Sequence, residues 1–369
     1  MDYKLVLMIT GKCNLACDYC YNRHHVDENT MSMEIACRAI RLAAEKVNAG
    51  ESLTLHFFGG EPLTAYELMT DIQKEATGIC RSRDISLVSS CSTNGTLLTA
   101  EKYKNLEDLG IETMLSLDGI KVAQDTHRRF PDGGSSYEVI KRLWEEKIID
   151  AEKILVNIVL TPKNIVELTA SVSGLVEIGF RKLSFSPDYS ADWNENARQA
   201  AKEAFVELIR RYSIWMRDEL PVYFSFVEEK IRRLLMNGRY EWVNPCSFGT
   251  REIAVAPDGS IFPCERFICK GAKSGFCIGN IMIISGIDLN ADSGRIDAGH
   301  GKEDSKIRGH KRCGLPNICL NCNFRAACTN ACGCVNFERT GDIDCPDELI
   351  CFFERLFIES AQLAMKMMS

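Results

Sequence analysis

The chain has 369 residues, 46% of them hydrophobic and 26% charged, with a formal net charge of −7. This length is enough for two domains, and the composition is that of a folded globular protein rather than a disordered or fibrous one. The acidic balance argues against a nucleic-acid partner, because phosphates attract a basic surface. Apolar runs stay below the roughly 18 residues of a membrane span, and the first residues lack a signal-peptide pattern, so we expect a cytoplasmic protein with no membrane partner.

In the first half of the chain, short runs rich in Val, Ile, Leu and Phe alternate with helical patterns. The runs predict six strands, at residues 5–10, 53–58, 85–91, 111–117, 154–160 and 182–186. The first helical pattern covers residues 33–48, with Ser32 as its N-terminal cap. This alternation predicts an α/β fold whose parallel sheet is open or curled into a partial (β/α)6 TIM-like barrel, since a complete eightfold barrel needs about 250 residues.

The second half of the chain has a different residue pattern. Residues 192–237 have a charged helical pattern, and short turns with many cysteines follow from residue 245. The turn 256–259 predicts a hairpin, residues 286–312 predict a long surface loop, and residues 349–368 predict a helix. We therefore expect a partial barrel at 1–190, a helical linker at 191–240 and a small cysteine-rich α+β domain at 241–369.

The 18 cysteines are unusual for a chain without an export signal. Structural disulfides are rare in the reducing cytosol, so these cysteines indicate metal or redox chemistry. Cys13, Cys17 and Cys20 directly follow the first predicted strand. Three thiolates this close together can hold a cubane iron–sulfur cluster and leave one iron without a protein ligand. Zinc is the competing interpretation, but structural zinc sites take four protein ligands, often as two separated pairs.

With Tyr19 before its last cysteine, this segment resembles the Cys-x3-Cys-x-aromatic-Cys hallmark of the radical S-adenosylmethionine (SAM) superfamily. The resemblance implies a [4Fe–4S] cluster whose open iron is chelated by the amino and carboxylate groups of SAM. It also implies reductive cleavage of SAM to a 5′-deoxyadenosyl radical that abstracts hydrogen from the substrate. Tyr19 would pack against the adenine.

Short turns that resemble further family motifs follow the second, third and fourth predicted strands. In order, they resemble the segments that contact the amino group of SAM, its ribose, and the region between SAM and substrate. An ordinary turn is the alternative for the last two, because Asn and Asp can bond to their own backbone. The resemblance implies a cofactor role for Gly59, Gly60, Glu61, Pro62, Ser92, Asn94 and Ser116, and a catalytic role for Asp118.

The second half also resembles the SPASM domain, which carries two auxiliary [4Fe–4S] clusters. The match begins with Cys246 and with Gly259-x4-Cys264, and it continues with a Cys-x2-Cys-x5-Cys-x3-Cys run and a final cysteine. The resemblance implies one cluster on Cys246, Cys264 and Cys332, and another on Cys319, Cys322, Cys328 and Cys351. Cys345 is the alternative last ligand, and a zinc ribbon is the alternative for the Cys319/Cys322 pair alone.

Fully ligated relatives carry a further cysteine just upstream of Cys246, and residues 225–245 contain none. The first auxiliary cluster therefore has either an open iron, where a substrate thiolate could bind, or a fourth ligand among Cys269, Cys277, Cys313, Cys334 and Cys345. Glu265 follows Cys264, where a carboxylate of the sulfatase-maturating relatives is thought to take a substrate proton. We predict that Glu265 is catalytic, and an ion pair with Arg266 is the alternative.

The resemblance as a whole implies an enzyme with three [4Fe–4S] clusters and SAM. We expect a peptide or protein substrate and an electron donor such as flavodoxin or ferredoxin. The leading hypothesis is a thioether or carbon–carbon crosslink in a ribosomally made peptide. Because the first strand starts near residue 3, we expect a separate leader-binding protein or recognition of the leader by the 286–312 loop. The alternatives are oxidation of a sulfatase Ser or Cys to formylglycine, and a non-enzymatic iron–sulfur electron carrier or zinc-stabilised binding protein.

Overall fold

The computed structural model describes residues 3–24, 28–236, 251–271, 275–283, 317–329 and 332–368. By their contacts the residues group into two compact units. The first is Met1–Asn14, Cys20–Thr113 and Ser247–Cys313, and the second is Leu15–Tyr19, Met114–Cys246 and Gly314–Ser369. These units differ from the consecutive domains expected from the sequence, which stay a prediction. The predicted ligand Cys246, the candidate Cys313 and the predicted loop at 286–312 lie outside the described residues.

Strands and helices alternate through the first half, as the sequence predicts. Short 3-10 turns occur at Tyr21–His24, Pro62–Ala65, Ile165–Glu167 and Glu265–Lys270. In chain order the elements are β1 (Tyr3–Thr10), α1 (Met33–Ala44), β2 (Ser52–Gly59), α2 (Tyr66–Ser82), β3 (Ser86–Thr93), α3 (Ala100–Asp108), β4 (Ile111–Ser116), α4 (Lys121–His127), α5 (Ser136–Ile140), α6 (Arg142–Glu145), β5 (Leu155–Leu160), α7 (Leu168–Ile178), β6 (Lys182–Pro187), α8 (Glu195–Arg217), β7 (Tyr223–Phe224), α9 (Ser225–Leu235), β8 (Glu252–Val255), β9 (Ser260–Phe262), β10 (Gly279–Asn280), α10 (Asn317–Leu320), α11 (Gly333–Thr340) and α12 (Glu348–Met368).

Helix α1 shows how local sequence sets an element. Ser32 caps it as predicted, since the Ser32 hydroxyl accepts a hydrogen bond from the Ile35 backbone N–H at 3.2 Å. The helix ends at Ala44, four residues before the predicted end, because a turn follows in which Lys46 N–H bonds to Ala43 O. The buried positions lie on one face, as the apolar spacing indicates.

In the first unit the strand order is β10-β9-β8-β1-β2-β3. Strand β1 pairs in parallel with both β2 and β8, so that Leu5 lies opposite Leu55 on one side and Ile253 on the other. Buried apolar residues occupy nearly the whole of β1, as expected for a parallel strand inside a sheet. The predicted hairpin is present, with β8 and β9 antiparallel and Val255 opposite Ile261.

In the second unit the strand order is β4-β5-β6-β7, and all pairings are parallel. The predicted helical stretch at 192–237 consists of α8 and α9, with the short strand β7 between them. Strand β7 extends the sheet beside β6, and the linker role of this stretch stays a prediction. Aromatic side chains fill the space where α12 packs on α8 and α9, and the rings of Trp193 and Phe353 lie 4.8 Å apart.

The first three strands of the first unit end at Thr10, Gly59 and Thr93, so the motifs singled out in the sequence lie at these strand ends or just after them. Because neighbouring parallel strands end at the same edge of a sheet, the segments that follow them come together there. Among the described residues, no helix is both long enough and apolar enough to cross a bilayer.

Candidate active site

The glycine pair after β2 lies directly against the segment that leads to Cys13. Gly60 N–H donates to Thr10 O at 2.9 Å, and Glu61 N–H donates to Lys12 O at 2.7 Å. A Cβ on Gly60 would lie 2.2 Å from Lys12 O, and one on Gly59 would lie 2.3 Å from Thr10 O. Glycine is therefore required at both positions, because any side chain would push this turn away from the cysteine loop.

Glu61 connects the ends of two neighbouring strands. Its carboxylate is 1% exposed and accepts hydrogen bonds from Thr93 Oγ1 and Asn94 N–H, both at 2.7 Å, and from Leu63 N–H at 3.0 Å. Burial raises the pKa of Glu61 above its ordinary value despite these bonds. The predicted contact between Glu61 and the SAM ammonium stays a prediction, and Pro62, which follows it, is buried in the 3-10 turn.

Asn94 takes part in a second link to the cysteine loop. Its amide donates to Asn14 Oδ1 at 2.9 Å, and the Asn14 amide donates to Thr96 Oγ1 at 2.8 Å. Asn14 follows Cys13, so this chain of amides ties the loop to the end of β3. Asn14 was not predicted as a site residue, although its position beside a predicted ligand cysteine offered a signal.

Ser92 bonds to a histidine that the sequence left without a role. The Ser92 hydroxyl lies 3.2 Å from His56 Nε2, and Ser90 Oγ lies 2.9 Å from His56 Nδ1. Burial, and then the nearby cation Lys4, lower the pKa of His56 to about 4. His56 is therefore a neutral ring at pH 7. The other predicted cofactor residue with a hydroxyl, Ser116, lies half-buried at the end of β4 in the second unit.

Asp118 in the second unit is the centre of a buried network. Its side chain accepts from Arg128 Nε at 3.0 Å, Arg128 Nη2 at 3.2 Å, Tyr19 Oη at 2.6 Å and Val159 N–H at 2.9 Å. Both carboxylate oxygens are thus occupied, and Asp118 is 2% exposed. The predicted catalytic role of Asp118 stays a prediction, while the observed contacts hold Tyr19 and Arg128 in place.

The ring of Tyr19 packs against Arg128 and His127. The guanidinium carbon of Arg128 lies 5.2 Å from the ring centroid, and the His127 ring lies 5.0 Å away. His127 also bonds to Asp18 Oδ1 at 2.6 Å and to Thr161 Oγ1 at 2.7 Å. The end of α4 therefore holds the segment that carries Cys17. Neither Arg128 nor His127 was predicted as a site residue, because no spacing rule links them to the cysteines.

Glu265 lies in a compact polar cluster of the first unit. The thiol of Cys264 lies 3.4 Å from Glu265 Oε2, and the candidate ligand atoms of Glu252, Cys264 and Glu265 all lie within 4.8 Å of one another. Lys4 Nζ contacts Glu252 Oε1 at 2.9 Å. Burial alone would raise the pKa of Glu265, but the cation of Lys4 and the hydrogen bonds to the carboxylate together outweigh burial, and the pKa lies below its ordinary value. Glu265 is therefore ionised at neutral pH.

Arg266, the partner that the alternative interpretation gave to Glu265, lies over an aromatic ring. Its guanidinium carbon is 4.9 Å from the centroid of the Tyr21 ring, which in turn stacks on Phe58. Tyr21 directly follows Cys20, and Arg266 lies two residues after Cys264. The two predicted ligand segments therefore touch within the first unit.

The cysteines of the C-terminal run lie near one another in the second unit. Burial raises the pKa of Cys319, and the neighbouring thiols Cys322 and Cys345 raise it further. Burial likewise raises the pKa of Cys351, with a further contribution from Cys319. Both candidates for the last ligand, Cys345 and Cys351, therefore lie close to Cys319, and the choice of Cys351 stays a prediction.

The residues present fit an iron–sulfur cluster with SAM. Cys13 is exposed, Cys17 and Cys20 are half-buried, and none of the three is in a disulfide. In the first unit, two residues after Cys20, the buried Oδ1 of Asn22 has no hydrogen-bond partner among the described residues, while the Asn22 amide nitrogen lies 3.4 Å from Gly59 O. An acceptor left without a donor next to the glycine turn is suited to a ligand that carries an amino group.

Comparison with known proteins agrees with this geometry. Residues 7–169 match the Radical SAM superfamily. The chain is 26% identical over 353 residues to the tungsten-containing aldehyde ferredoxin oxidoreductase cofactor-modifying protein of Pyrococcus furiosus, covering 92% of this chain and 91% of that protein. It is 24% identical over 351 residues to a cysteine-type anaerobic sulfatase-maturating enzyme of Clostridium novyi, covering 89% and 87% of the two chains.

Two further similarities concern peptides. The PqqA peptide cyclase of Bradyrhizobium diazoefficiens is 24% identical over 360 residues, covering 92% of this chain and 83% of that protein. The solved structure of native anSMEcpe with bound AdoMet and the Cp18Cys peptide covers 99% of both chains, with a TM-score of 0.76 and 18% identity. This structural likeness confirms the predicted α/β fold with a parallel sheet and a cysteine-rich C-terminal region.

The cysteine loop, the glycine turn pressed against it and these matches together define a SAM-dependent iron–sulfur enzyme. Residues 7–169 carry a Radical SAM superfamily domain, and a domain of this kind implies a [4Fe–4S] cluster and SAM. The relatives that it resembles include sulfatase-maturating and peptide-modifying enzymes.

Proposed function

We propose that this enzyme abstracts hydrogen from a peptide and installs a thioether or carbon–carbon crosslink. The observation that carries the proposal is the ionised carboxylate of Glu265 beside the predicted ligand Cys264, because an oxidative crosslink must release a substrate proton to a base. The peptide-bound structure that the chain resembles supports a peptide substrate. The missing cysteine upstream of Cys246 supports a crosslink that starts from a substrate thiolate.

The residues divide the work as follows. Cys13, Cys17 and Cys20 hold the cluster that binds SAM, and the bound pair supplies the radical that removes a hydrogen atom from the substrate. Gly59 and Gly60 keep the strand end against the cysteine loop. The end of α4 keeps Tyr19 in position beside SAM. Glu265 accepts the proton that the substrate loses when its second electron leaves.

Two auxiliary clusters complete the proposal, one on Cys246, Cys264 and Cys332 and the other on Cys319, Cys322, Cys328 and Cys351. They would accept the electron that the substrate loses as the new bond forms. An electron donor such as flavodoxin or ferredoxin, a separate leader-binding protein and a cytoplasmic location belong to the same proposal. Nucleic acid and membrane have no part in it.

The test uses anaerobically reconstituted enzyme with SAM, a reductant and cysteine-containing peptides encoded by neighbouring genes. We expect 5′-deoxyadenosine together with a peptide that has lost the mass of two hydrogens. The Cys13→Ala/Cys17→Ala/Cys20→Ala variant is expected to form neither product. Formation of 5′-deoxyadenosine while every peptide keeps its mass would overturn the proposed substrate class.

Formylglycine formation is the second candidate, favoured by the full-length likeness to anSMEcpe and by the sulfatase-maturating relative. An aldehyde product reacts with a hydrazide reagent, whereas a crosslinked peptide does not. Labelling of a sulfatase peptide after the reaction would therefore favour this candidate over crosslinking. Iron analysis and EPR address the remaining alternative, since a zinc-stabilised binding protein or simple electron carrier would not cleave SAM on reduction.

A further inference from the structure

A buried ion pair in the second unit has no role in the site described above. Lys230 Nζ on α9 contacts Glu354 Oε2 on α12 at 2.8 Å and Thr329 Oγ1 at 3.2 Å. The same carboxylate accepts from Thr329 N–H at 3.0 Å and from Thr329 Oγ1 at 2.9 Å. All three residues are buried: Lys230 is 2% exposed, Glu354 6% and Thr329 3%.

A buried ion pair joins two helices at a high cost in desolvation free energy. Removing a charge from water costs several kcal/mol, and hydrophobic residues of similar volume often serve stability as well or better. Around this pair, the neighbouring surfaces of α9 and α12 are lined by apolar side chains such as Phe226 and Phe357, whose rings lie 4.9 Å apart. Packing of the two helices therefore does not explain why a charged pair occupies this position.

The Lys230–Glu354 pair lies next to two predicted cluster ligands, which gives a reason for its charges. Thr329 directly follows Cys328, and Glu354 lies three residues after Cys351, one turn further along α12. The carboxylate of Glu354 thus bonds to the backbone and side chain next to one predicted cluster ligand while sitting on the helix that carries another. This link therefore ties the backbone beside Cys328 to the helix that carries Cys351.

We propose that Lys230, Thr329 and Glu354 position Cys328 and Cys351 as ligands of the C-terminal auxiliary cluster, and that the charge balance of the Lys230–Glu354 pair sets the reduction potential of that cluster. This inference rests on the proposed cluster assignment. Net charge near an iron–sulfur cluster is one of the factors that tune its potential, because a nearby cation favours the reduced, more negative state.

The charge argument predicts shifts of opposite sign. Lys230→Met leaves the buried carboxylate uncompensated and lowers the potential of the cluster. Glu354→Gln leaves the buried ammonium uncompensated and raises it. The double variant Lys230→Met/Glu354→Leu is again neutral and returns the potential toward the original value. A merely structural role would instead produce loss of iron without an opposed pair of shifts.

The experiment is an EPR-monitored redox titration in the Cys13→Ala/Cys17→Ala/Cys20→Ala background, which leaves only the auxiliary clusters. Neither SAM cleavage nor a substrate is needed, so failure of the proposed crosslinking reaction does not affect the result. Cys351→Ala identifies the signal of the C-terminal cluster, and its failure to change any signal would refute the cluster assignment itself. Arg233→Met is the matched control, because Arg233 lies on the same helix and pairs with Glu229 at 3.2 Å.

Opposed shifts for Lys230→Met and Glu354→Gln, with Arg233→Met unchanged, support the proposal. Equal potentials in all variants, or shifts of the same sign, overturn it. Where a charge variant does not fold, Thr329→Val decides, since it keeps the shape and the backbone N–H while removing the hydroxyl. An altered EPR signal at full auxiliary iron in Thr329→Val supports positioning, whereas an unchanged signal, or loss of iron without an altered signal, overturns it.

Discussion

Gly60 shows how a single missing side chain can make a cofactor site possible. Gly60→Ala is expected to abolish SAM binding and to lower iron content by about four atoms per chain, because its Cβ would lie 2.2 Å from Lys12 O and would push the glycine turn away from the cysteine loop. The measurement is iron analysis with SAM titration of the anaerobic protein. Gly78→Ala is the matched control, since nothing lies within 4 Å of its Cβ.

Gly78 lies inside α2, where alanine is favoured over glycine by about 0.5–1 kcal/mol. The control should therefore keep its iron and gain slightly in stability. Retention of full iron and SAM affinity by Gly60→Ala would contradict the role assigned to the glycine turn.

His56 makes stability depend on pH in a definite direction. Its pKa falls from about 6.5 in the unfolded chain to about 4 in the folded one, so between these values the unfolded chain binds more protons. Stability is therefore full above pH 6.5 and decreases as the pH falls toward 4. Denaturant midpoints at pH 7 and pH 5 should differ less for His56→Gln than for the unmodified protein. Equal differences would show that His56 does not titrate in this window.

At the scale of elements, the contacts made at the C-terminal end of α4 could not be predicted from the sequence. Arg128→Met is expected to cost about 3–5 kcal/mol of stability, because it leaves the carboxylate of Asp118 buried without its cation. Lys163→Met is the control: Lys163 lies 3.7 Å from Asp18, but its side chain is 68% exposed, and such surface pairs contribute at most about 1 kcal/mol.

The two variants are compared by urea denaturation and by iron content. If Arg128→Met is no less stable than Lys163→Met, the buried network around Asp118 does not hold the Cys17 segment. If Arg128→Met is destabilised but keeps SAM affinity, the network serves folding alone.

At the scale of the whole molecule, the proposal requires three clusters that load separately. The Cys13→Ala/Cys17→Ala/Cys20→Ala variant and a Cys319→Ala/Cys322→Ala variant should each lose about four of about twelve iron atoms, since each removes the ligands of one cubane. Iron and sulfide analysis after anaerobic reconstitution checks this count. Loss of all iron in both variants would mean that the clusters do not load independently.

The strands and the first helix were predictable because their signals are local. Runs of apolar residues indicated β1 to β6 within one or two residues, and Ser32 marked the start of α1. The cysteine motifs were equally visible, since ligands that share one cluster often lie close together in the chain. The pairing of β8 with β1 was not visible, because about 240 residues separate the two strands and no local pattern encodes such a contact.

The amino-acid sequence by itself indicated the parallel α/β architecture and, through motifs that resemble a known family, the class of enzyme, because strands and motifs are written locally along the chain; which cysteines carry iron stays a prediction. The tertiary structure alone decided that Glu61 and Asp118 bond to neighbouring strands and side chains, that Lys4 keeps Glu265 ionised, and that Lys230 meets Glu354. Charge, burial and hydrogen bonding arise between residues that are far apart in the chain, so they exist only once it has folded.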